Sequence, residues 1–481
     1  MEDRLKQKTA SGLLWNGVER TASKGIQFVF SILIARILIP ADYGLVAIVN
    51  LLISLSDILI DSGLSRALLR KKDKADSDYN VLFIFNISAS LLLYLFFLIS
   101  APLFANYFQE PTLTPLIRWG TLTLVINAIG SIQSVLLVAT MDFRKKAVSE
   151  IVAILISGPI ALILAYKGYG VWALIWQSLI ACVIRAILLW MTVQWIPSKD
   201  LSWHTFRQLF SFGYHLLISE YILRIYSAIN TLTIGKVFTP AQLGLYGKAD
   251  AFTSIPSSLI SGPLNSVSYP SLSQIQNDEE QLVRVFYSMT SLSLFVILPV
   301  MLGLAAISPV MVPLILTEKW CGMIPMLRIL ALSYVFLTMA TIPQNYILIK
   351  GGSKIFLHIQ FFTKGIGLIL LFWFSHYSII AVCWAYTTVS FLFAILVFFF
   401  TQKQIHFSTR ILIKSYLPTI LLSLAMATIV SVTQLLIKNH LLSMIIGILA
   451  GTSFYCLMAE LLHNDQWQML KSMALPYLHK S

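Results

Sequence analysis

Charge is scarce in this chain. Only 11% of its 481 residues are Asp, Glu, Lys or Arg, against roughly 25% in ordinary soluble domains. A solvated surface around several soluble cores cannot be built from so few charges, which excludes the two or three soluble domains that the length alone suggests. Cysteine is also rare. Cys182, Cys321, Cys383 and Cys456 are scattered without metal-type spacing, so neither a disulfide framework nor a metal site is expected. Long polar connections are missing as well: the longest run to about fifteen residues, too short for a folded catalytic domain. Segments of roughly ten alternating residues, the mark of a transmembrane barrel, do not occur.

What fills the space is apolar. The chain is 57% hydrophobic, and runs of about 20 apolar residues, each able to cross a bilayer core of about 30 Å, recur from end to end. The fold class is an all-α polytopic membrane protein of about fourteen spans, near 11–38, 42–65, 79–105, 113–140, 147–166, 169–195, 209–236, 241–268, 285–308, 322–349, 354–375, 378–401, 411–437 and 440–462. The first span lacks a small-residue cleavage pattern and is expected to remain as a signal anchor.

The net charge of +13 could point to nucleic acid, but its distribution describes a topology instead. With the N-terminus placed in the cytoplasm, inner loops and tails hold 21 Lys/Arg and outer loops three, Lys167, Lys319 and Lys438. Positive residues stay on the cytoplasmic side, so both ends are expected inside, and no nucleic-acid partner is expected.

One segment repeats. Pro40-Ala41-Asp42-Tyr43-Gly44-Leu45 returns as Pro240-Ala241-Gln242-Leu243-Gly244-Leu245, each copy joining two apolar stretches. An internal repeat of this kind in a membrane chain indicates two related halves with a substrate held between them. The correspondence continues into polar residues inside the spans. Asn16, Arg20, Lys24, Gln27 and Ser31 share one helical face, as do Asn50, Ser54, Asp57 and Asp61. The matching stripes of the second half are Glu220, Arg224, Ser227 and Thr231, then Asp250, Ser254, Ser257, Ser261 and Asn265. A charge at the bilayer centre costs on the order of 3 kcal/mol, so such residues turn towards a bundle interior or a hydrated cavity. Pairing that merely holds helices together is the ordinary alternative; four stripes in register favour the cavity.

Ten cations lie in predicted spans (Arg20, Lys24, Arg36, Arg118, Arg185, Arg224, Lys236, Lys248, Arg328 and Lys364) against six carboxylates (Glu19, Asp57, Asp61, Glu150, Glu220 and Asp250). A cavity of that sign suits an anion, and guanidinium groups suit phosphate. Arg20, Lys24, Arg224, Lys248, Arg185 and Lys364 are the candidate substrate-binding residues, Lys24 foremost because it lies near the midplane without an evident acidic neighbour. Asp57, Asp61, Glu220 and Asp250 are candidates for ion coupling or charge pairing. Asn16, Gln27, Ser31, Asn50, Ser54, Ser227, Thr231, Ser254, Ser257, Ser261 and Asn265 are expected to line the cavity. Arg36, Lys236, Arg118 and Arg328 sit at span ends and are expected to snorkel to the interface, although the similar placement of Arg118 and Arg328 early in the fourth span of each half also allows a shared outer-gate role. Gly158-Pro159, Pro256, Gly262-Pro263, Pro299 and Pro343 interrupt spans, as hinges or as fixed kinks. No catalytic constellation and no cofactor site are visible.

The run Ala35-Arg36-Ile37-Leu38-Ile39-Pro40-Ala41-Asp42-Tyr43-Gly44-Leu45, followed by Asp61-Ser62-Gly63-Leu64 and a basic loop, resembles the Wzx-type polysaccharide flippases. It is most similar to the colanic-acid exporter-like branch of the polysaccharide transporter family, within the MOP superfamily that also holds the MATE exporters and the lipid flippase MurJ. The resemblance implies two pseudo-symmetric six-helix lobes, 1–200 with spans 1–6 and 201–402 with spans 7–12, followed by spans 13–14 and a cytoplasmic tail in 403–481. It implies a cavity lined by spans 1, 2, 7 and 8, and no enzyme. It implies an undecaprenyl-diphosphate-linked oligosaccharide as cargo, moved across the bacterial cytoplasmic membrane by alternating access for O-antigen, capsule or exopolysaccharide assembly. Partners would be that glycolipid, membrane lipids and other polysaccharide assembly proteins. A MATE-like exporter of cations shares the fold, but its cargo would favour an acidic cavity. A membrane-embedded polymerase or glycosyltransferase would need an extramembrane catalytic segment that this chain lacks.

Overall fold

The computed structural model describes residues 22–61, 63–71, 75–198, 203–405 and 407–478. Among them there is no strand. The helices are α1 (22–37), α2 (Pro40–Asp61), α3 (Leu64–Arg70), α4 (Asp76–Phe108), α5 (Leu113–Gly120), α6 (Leu122–Ala139), α7 (Phe143–Tyr166), α8 (Trp172–Thr192), α9 (Trp203–Val237), α10 (Pro240–Gln274), α11 (Glu279–Leu316), α12 (Ile324–Met339), α13 (Thr341–Ile349), α14 (Ser353–Ser375), α15 (Ile379–Ile405), α16 (Thr409–Leu436), α17 (His440–Leu461) and α18 (Asp465–Leu478).

Eleven helices among the described residues are long and apolar enough to cross a membrane. Two of them are broken: α5 and α6 form one span, as do α12 and α13 with the 3₁₀ turn before them. The three remaining expected spans, the first, seventh and eighth, correspond to α1, α9 and α10, which are not among the eleven. The count of fourteen is therefore not reproduced by apolarity alone. α9 and α10, at 35 residues each, are ample in length. Their polar stripes dilute the apolar signal.

The repeated turn is built the same way twice. Pro40 and Pro240 open α2 and α10, positions where a missing N–H costs nothing. The Ile39 N–H donates to Asp42 Oδ2 at 3.1 Å, and the Thr239 N–H donates to Gln242 Oε1 at 3.2 Å. In the second copy the Gln242 N–H also donates to Thr239 Oγ1 at 3.3 Å, completing a reciprocal capping box. Gly44 and Gly244 lie against each other's turn: a Cβ on Gly44 would strike the Pro240 carbonyl, and one on Gly244 the Pro40 carbonyl. The absence of a side chain at both positions lets the two backbones approach.

By its contacts the chain divides into two compact units, Met1–Gly244 and Leu245–Ser481. The first has a core around Leu64, Leu68, Tyr79, Leu82 and Ile132. The second is centred on Phe286, Ile297, Met301, Ile342 and Tyr346. Large apolar side chains such as Ile99, Leu103, Phe372 and Leu435 are exposed on helices, the arrangement expected where hydrocarbon rather than water is the solvent.

Candidate functional site

In the first unit, four helices present polar side chains to one pocket of about 400 Å³. α2 contributes Asp57; α6 contributes Asn127, Ser131 and Ser134; α7 contributes Lys146 and Glu150; α8 contributes Cys182 and Arg185. The spacings explain the convergence. Residues 127, 131 and 134 fall on one helical face, as do 146 and 150, and 182 and 185. Arg185 is the centre. Its Nη1 donates to Glu150 Oε2 at 2.8 Å and to Oε1 at 3.1 Å. Its Nη2 donates to Asn127 Oδ1 at 3.0 Å and to Cys182 Sγ at 3.4 Å. Both charged groups are about a third exposed. The pocket thus joins a pre-formed guanidinium–carboxylate pair to a second carboxylate, an ammonium and two hydroxyls, a set that can hydrogen-bond a polar, multiply hydroxylated ligand.

In the second unit the polar residues pair across helices. Tyr334 on α12 donates to Asp250 Oδ1 on α10 at 2.8 Å. The Ser257 and Thr338 hydroxyls are 2.8 Å apart. Asn345 Nδ2 on α13 donates to Asn265 Oδ1 at 2.9 Å and to Ser268 Oγ at 2.8 Å. Positions 334, 338 and 345 repeat every four and seven residues, so one face of α12–α13 meets one face of α10. Lys248 is buried, with its Nζ 5.8 Å from the Trp320 ring centroid.

The remaining candidates fall as follows. Lys24, Gln27, Asn50 and Arg224 are exposed, and Ser31, Ser261 and Lys364 half-buried. The carbonyl of Ser31 accepts from the Tyr43 hydroxyl at 3.1 Å. Ser54, Ser227, Thr231 and Ser254 donate to carbonyls of their own helices, the usual resting contact of a helical hydroxyl. Asn16, Glu19 and Arg20 lie outside the described residues, and the side chains of Asp61 and Glu220 are likewise outside the description. Among the described residues no group of three His, Cys, Asp or Glu could hold a metal ion, and the four cysteines are free thiols.

The structure adds residues that the stripes alone did not single out: Asn127, Ser131, Ser134 and Lys146 in the first unit, Ser268, Tyr334, Thr338 and Asn345 in the second. Helical spacing of the polar residues in the fourth spans was the available signal. A separate groove of about 480 Å³ runs along α11, α16 and α17, and its lining is almost wholly apolar.

Known proteins fit this description. The succinoglycan biosynthesis transport protein ExoT of Rhizobium meliloti (strain 1021) is 26% identical over 324 residues, 67% of this chain and 66% of ExoT. The lipopolysaccharide biosynthesis protein WzxC of Escherichia coli (strain K12) is 24% identical over 328 residues, 68% of this chain and 67% of WzxC. The lipid II flippase MurJ, in an inward closed conformation, superposes with a TM-score of 0.77 at 15% identity, covering 94% of this chain and 99% of MurJ; the fold is MurJ-like. The profile of a family described as polysaccharide biosynthesis protein matches residues 33–325, more than half of the chain, which therefore belongs to that family.

Proposed function

We propose that the protein is a flippase that moves an undecaprenyl-diphosphate-linked oligosaccharide across the bacterial cytoplasmic membrane by alternating access, for assembly of a surface polysaccharide. The observation that supports this reading is the set of cations set into the spans away from their ends, Arg20, Lys24, Arg185, Arg224, Lys248 and Lys364. Each such charge is costly in lipid, and its sign is the one that a diphosphate needs. ExoT is named a transport protein and MurJ a flippase, in keeping with a chain that moves its cargo without chemically changing it. The two moving lobes are 1–200 and 201–402, and both termini are cytoplasmic.

Parts of the cargo have separate requirements. Lys24, Arg224, Lys248 and Arg20 attract the diphosphate. The hydroxyl-rich, charge-balanced pocket around Arg185 suits sugar, whose hydroxyls both donate and accept. The apolar groove of the second unit suits the lipid tail, and Asp57, Asp61, Glu220 or Asp250 would couple an ion gradient. A leaflet-translocation assay in proteoliposomes with a labelled diphosphate-lipid glycan tests the proposal. Protein-dependent movement is expected, and none would sink it. Lys24→Ala and Arg224→Ala should each insert normally and transport more slowly; wild-type transport by both would overturn the anion-binding cavity.

A further inference from the structure

The cations that the proposed orientation places on the inner face do not all keep the same company. Lys71 pairs with Asp78 at 2.8 Å, Lys145 with Asp142 at 3.3 Å and Arg284 with Glu280 at 2.8 Å. Later in the chain such partners disappear. From Lys319 to Ala459 the sequence holds nine Lys/Arg and no Asp or Glu. Retention of positive charge accounts for inner-face cations but not for missing carboxylates, which contribute little to topology. Lys354 and Lys403 stand in this stretch where α14 begins and α15 ends. Both are exposed, and among the described residues neither pairs with a carboxylate.

A pocket of about 640 Å³ lies beside them. Ile355, Ile359, Phe361 and Phe362 of α14 line it with Leu396 and Phe400 of α15, and His358 is the one polar side chain in the lining. Its depth in a bilayer follows from the helices. Only residues 376–378 separate α14 from α15, so the two run antiparallel, with the start of α14 level with the end of α15. At 1.5 Å per residue, Ile355 and Phe400 stand about 30 Å from that connection, which is the thickness of the hydrocarbon core. Phe362 stands about 20 Å from it, so the pocket occupies the apolar part of a single leaflet. Lys354 lies one turn before His358, and Lys403 lies just under one turn after Phe400. Both therefore belong at headgroup level, at the mouth of the pocket. The Lys403 Nζ is 4.6 Å from the Phe399 ring centroid and 5.9 Å from that of Phe400, which seats the ammonium at the rim. His358 Nδ1 donates to the Lys354 carbonyl at 2.6 Å, tying its ring to the same turn. Phe361 and Phe362 are 53% and 56% exposed, so the lining is open to lipid.

We propose that this seam binds one anionic phospholipid, its phosphate held by Lys354 and Lys403 and an acyl chain lying in the pocket. A basic site over an apolar seam between helices is the arrangement that selects such headgroups. A zwitterionic headgroup would bring its own ammonium against the two lysines. Only the leaflet, the cytoplasmic one, rests on the proposed orientation; the site does not depend on transport. Native mass spectrometry of the full-length protein, titrated in detergent micelles, measures the affinity of the first bound lipid. Dioleoyl phosphatidylglycerol should bind more tightly than dioleoyl phosphatidylcholine by about thirtyfold, a factor of about five for each lysine. Lys354→Gln/Lys403→Gln should remove that preference, and its exposed positions leave folding untouched. Lys145→Gln/Arg284→Gln removes equal charge from paired cations and should bind phosphatidylglycerol like the parent. An unchanged preference in the first double variant, or an equal loss in the second, would overturn the site. Dihexanoyl phosphatidylglycerol, with the same headgroup and short chains, should bind at least tenfold more weakly than the dioleoyl lipid; equal affinity would overturn the role of the pocket. Free glycerol 3-phosphate should not compete, and competition would show that a phosphate rather than a lipid is held. Translocation is not the readout, so failure of the transport assay would bear on the flippase reading alone.

Discussion

The second and fourth spans of each half of the repeat meet differently. In the second unit, α10 and α12–α13 are joined directly, Ser257 to Thr338, Asp250 to Tyr334 and Asn265 to Asn345. In the first, the residue that the repeat places opposite Ser257 is Asp57, and it lines an open pocket with α6, α7 and α8. One unit spends its intramembrane polar groups on direct hydrogen bonds between helices; the other keeps a charged pair and about 400 Å³ of space. Direct hydrogen bonds between helices fix their packing, while a spacious polar pocket leaves hydrogen-bonding capacity for something else. Duplication thus supplied the scaffold, and the two copies diverged into a braced unit and a receptive one.

The sharpest way to break this comparison is at Glu150. Glu150→Ala leaves the Arg185 guanidinium without its carboxylate. Fully buried pairs broken in this way lose roughly 3–5 kcal/mol, and partial exposure here reduces the expected loss to about 2 kcal/mol. Thermal unfolding in detergent micelles should show a lowered midpoint. The double variant Glu150→Gln/Arg185→Gln should recover much of it, because no lone charge remains. A single variant as stable as wild type would mean that the pair organises nothing.

The repeat-related pair Asp57 and Ser257 should separate by type of effect. Ser257→Ala removes one buried hydrogen bond and is expected to cost about 1 kcal/mol of stability. Asp57→Asn preserves shape at an exposed position and should change the unfolding midpoint little. Its expected effect is on transport, roughly tenfold, the scale of one charge-assisted contact. If Asp57→Asn destabilises and transports normally, the first unit is braced like the second.

Much of this was legible in the sequence. The repeat located the duplicated turn, and apolar runs placed fourteen spans, because a bilayer imposes a length on them; eleven match helices that are long and apolar enough to cross it among the described residues. At α9 and α10, Glu220, Arg224, Lys248 and Asp250 dilute that apolarity, and the repeat aligns the two helices with the first two spans. The partners of the stripes were not legible: a helical face is readable from spacing, but which helix it meets is decided by tertiary packing. Hence Asp250 was visible and Tyr334 was not, and Arg185 looked like a free anion contact until Glu150 stood beside it.

The smallest expected effect concerns a device that both units share. Arg118 Nε donates to the Leu98 carbonyl at 3.2 Å, and Arg328 Nε donates to the Ala305 carbonyl at 3.2 Å. Each of those carbonyls would ordinarily accept from the N–H four residues on, at Pro102 and Pro309, and proline has none. The two arginines therefore do more than snorkel: each supplies the hydrogen bond that a helix-interior proline removes from α4 or α11. Arg118→Ala and Arg328→Ala should each cost about 1 kcal/mol, since both side chains are exposed and water can compensate in part. The discriminating measurement is a double-mutant cycle. With Pro102→Ala in place, residue 102 regains an N–H for Leu98, and the cost of Arg118→Ala should shrink towards zero; Pro309→Ala should do the same for Arg328→Ala. Equal coupling in the two units would place this device before their divergence, whereas coupling in only one would extend the difference between them from the polar pocket to the backbone.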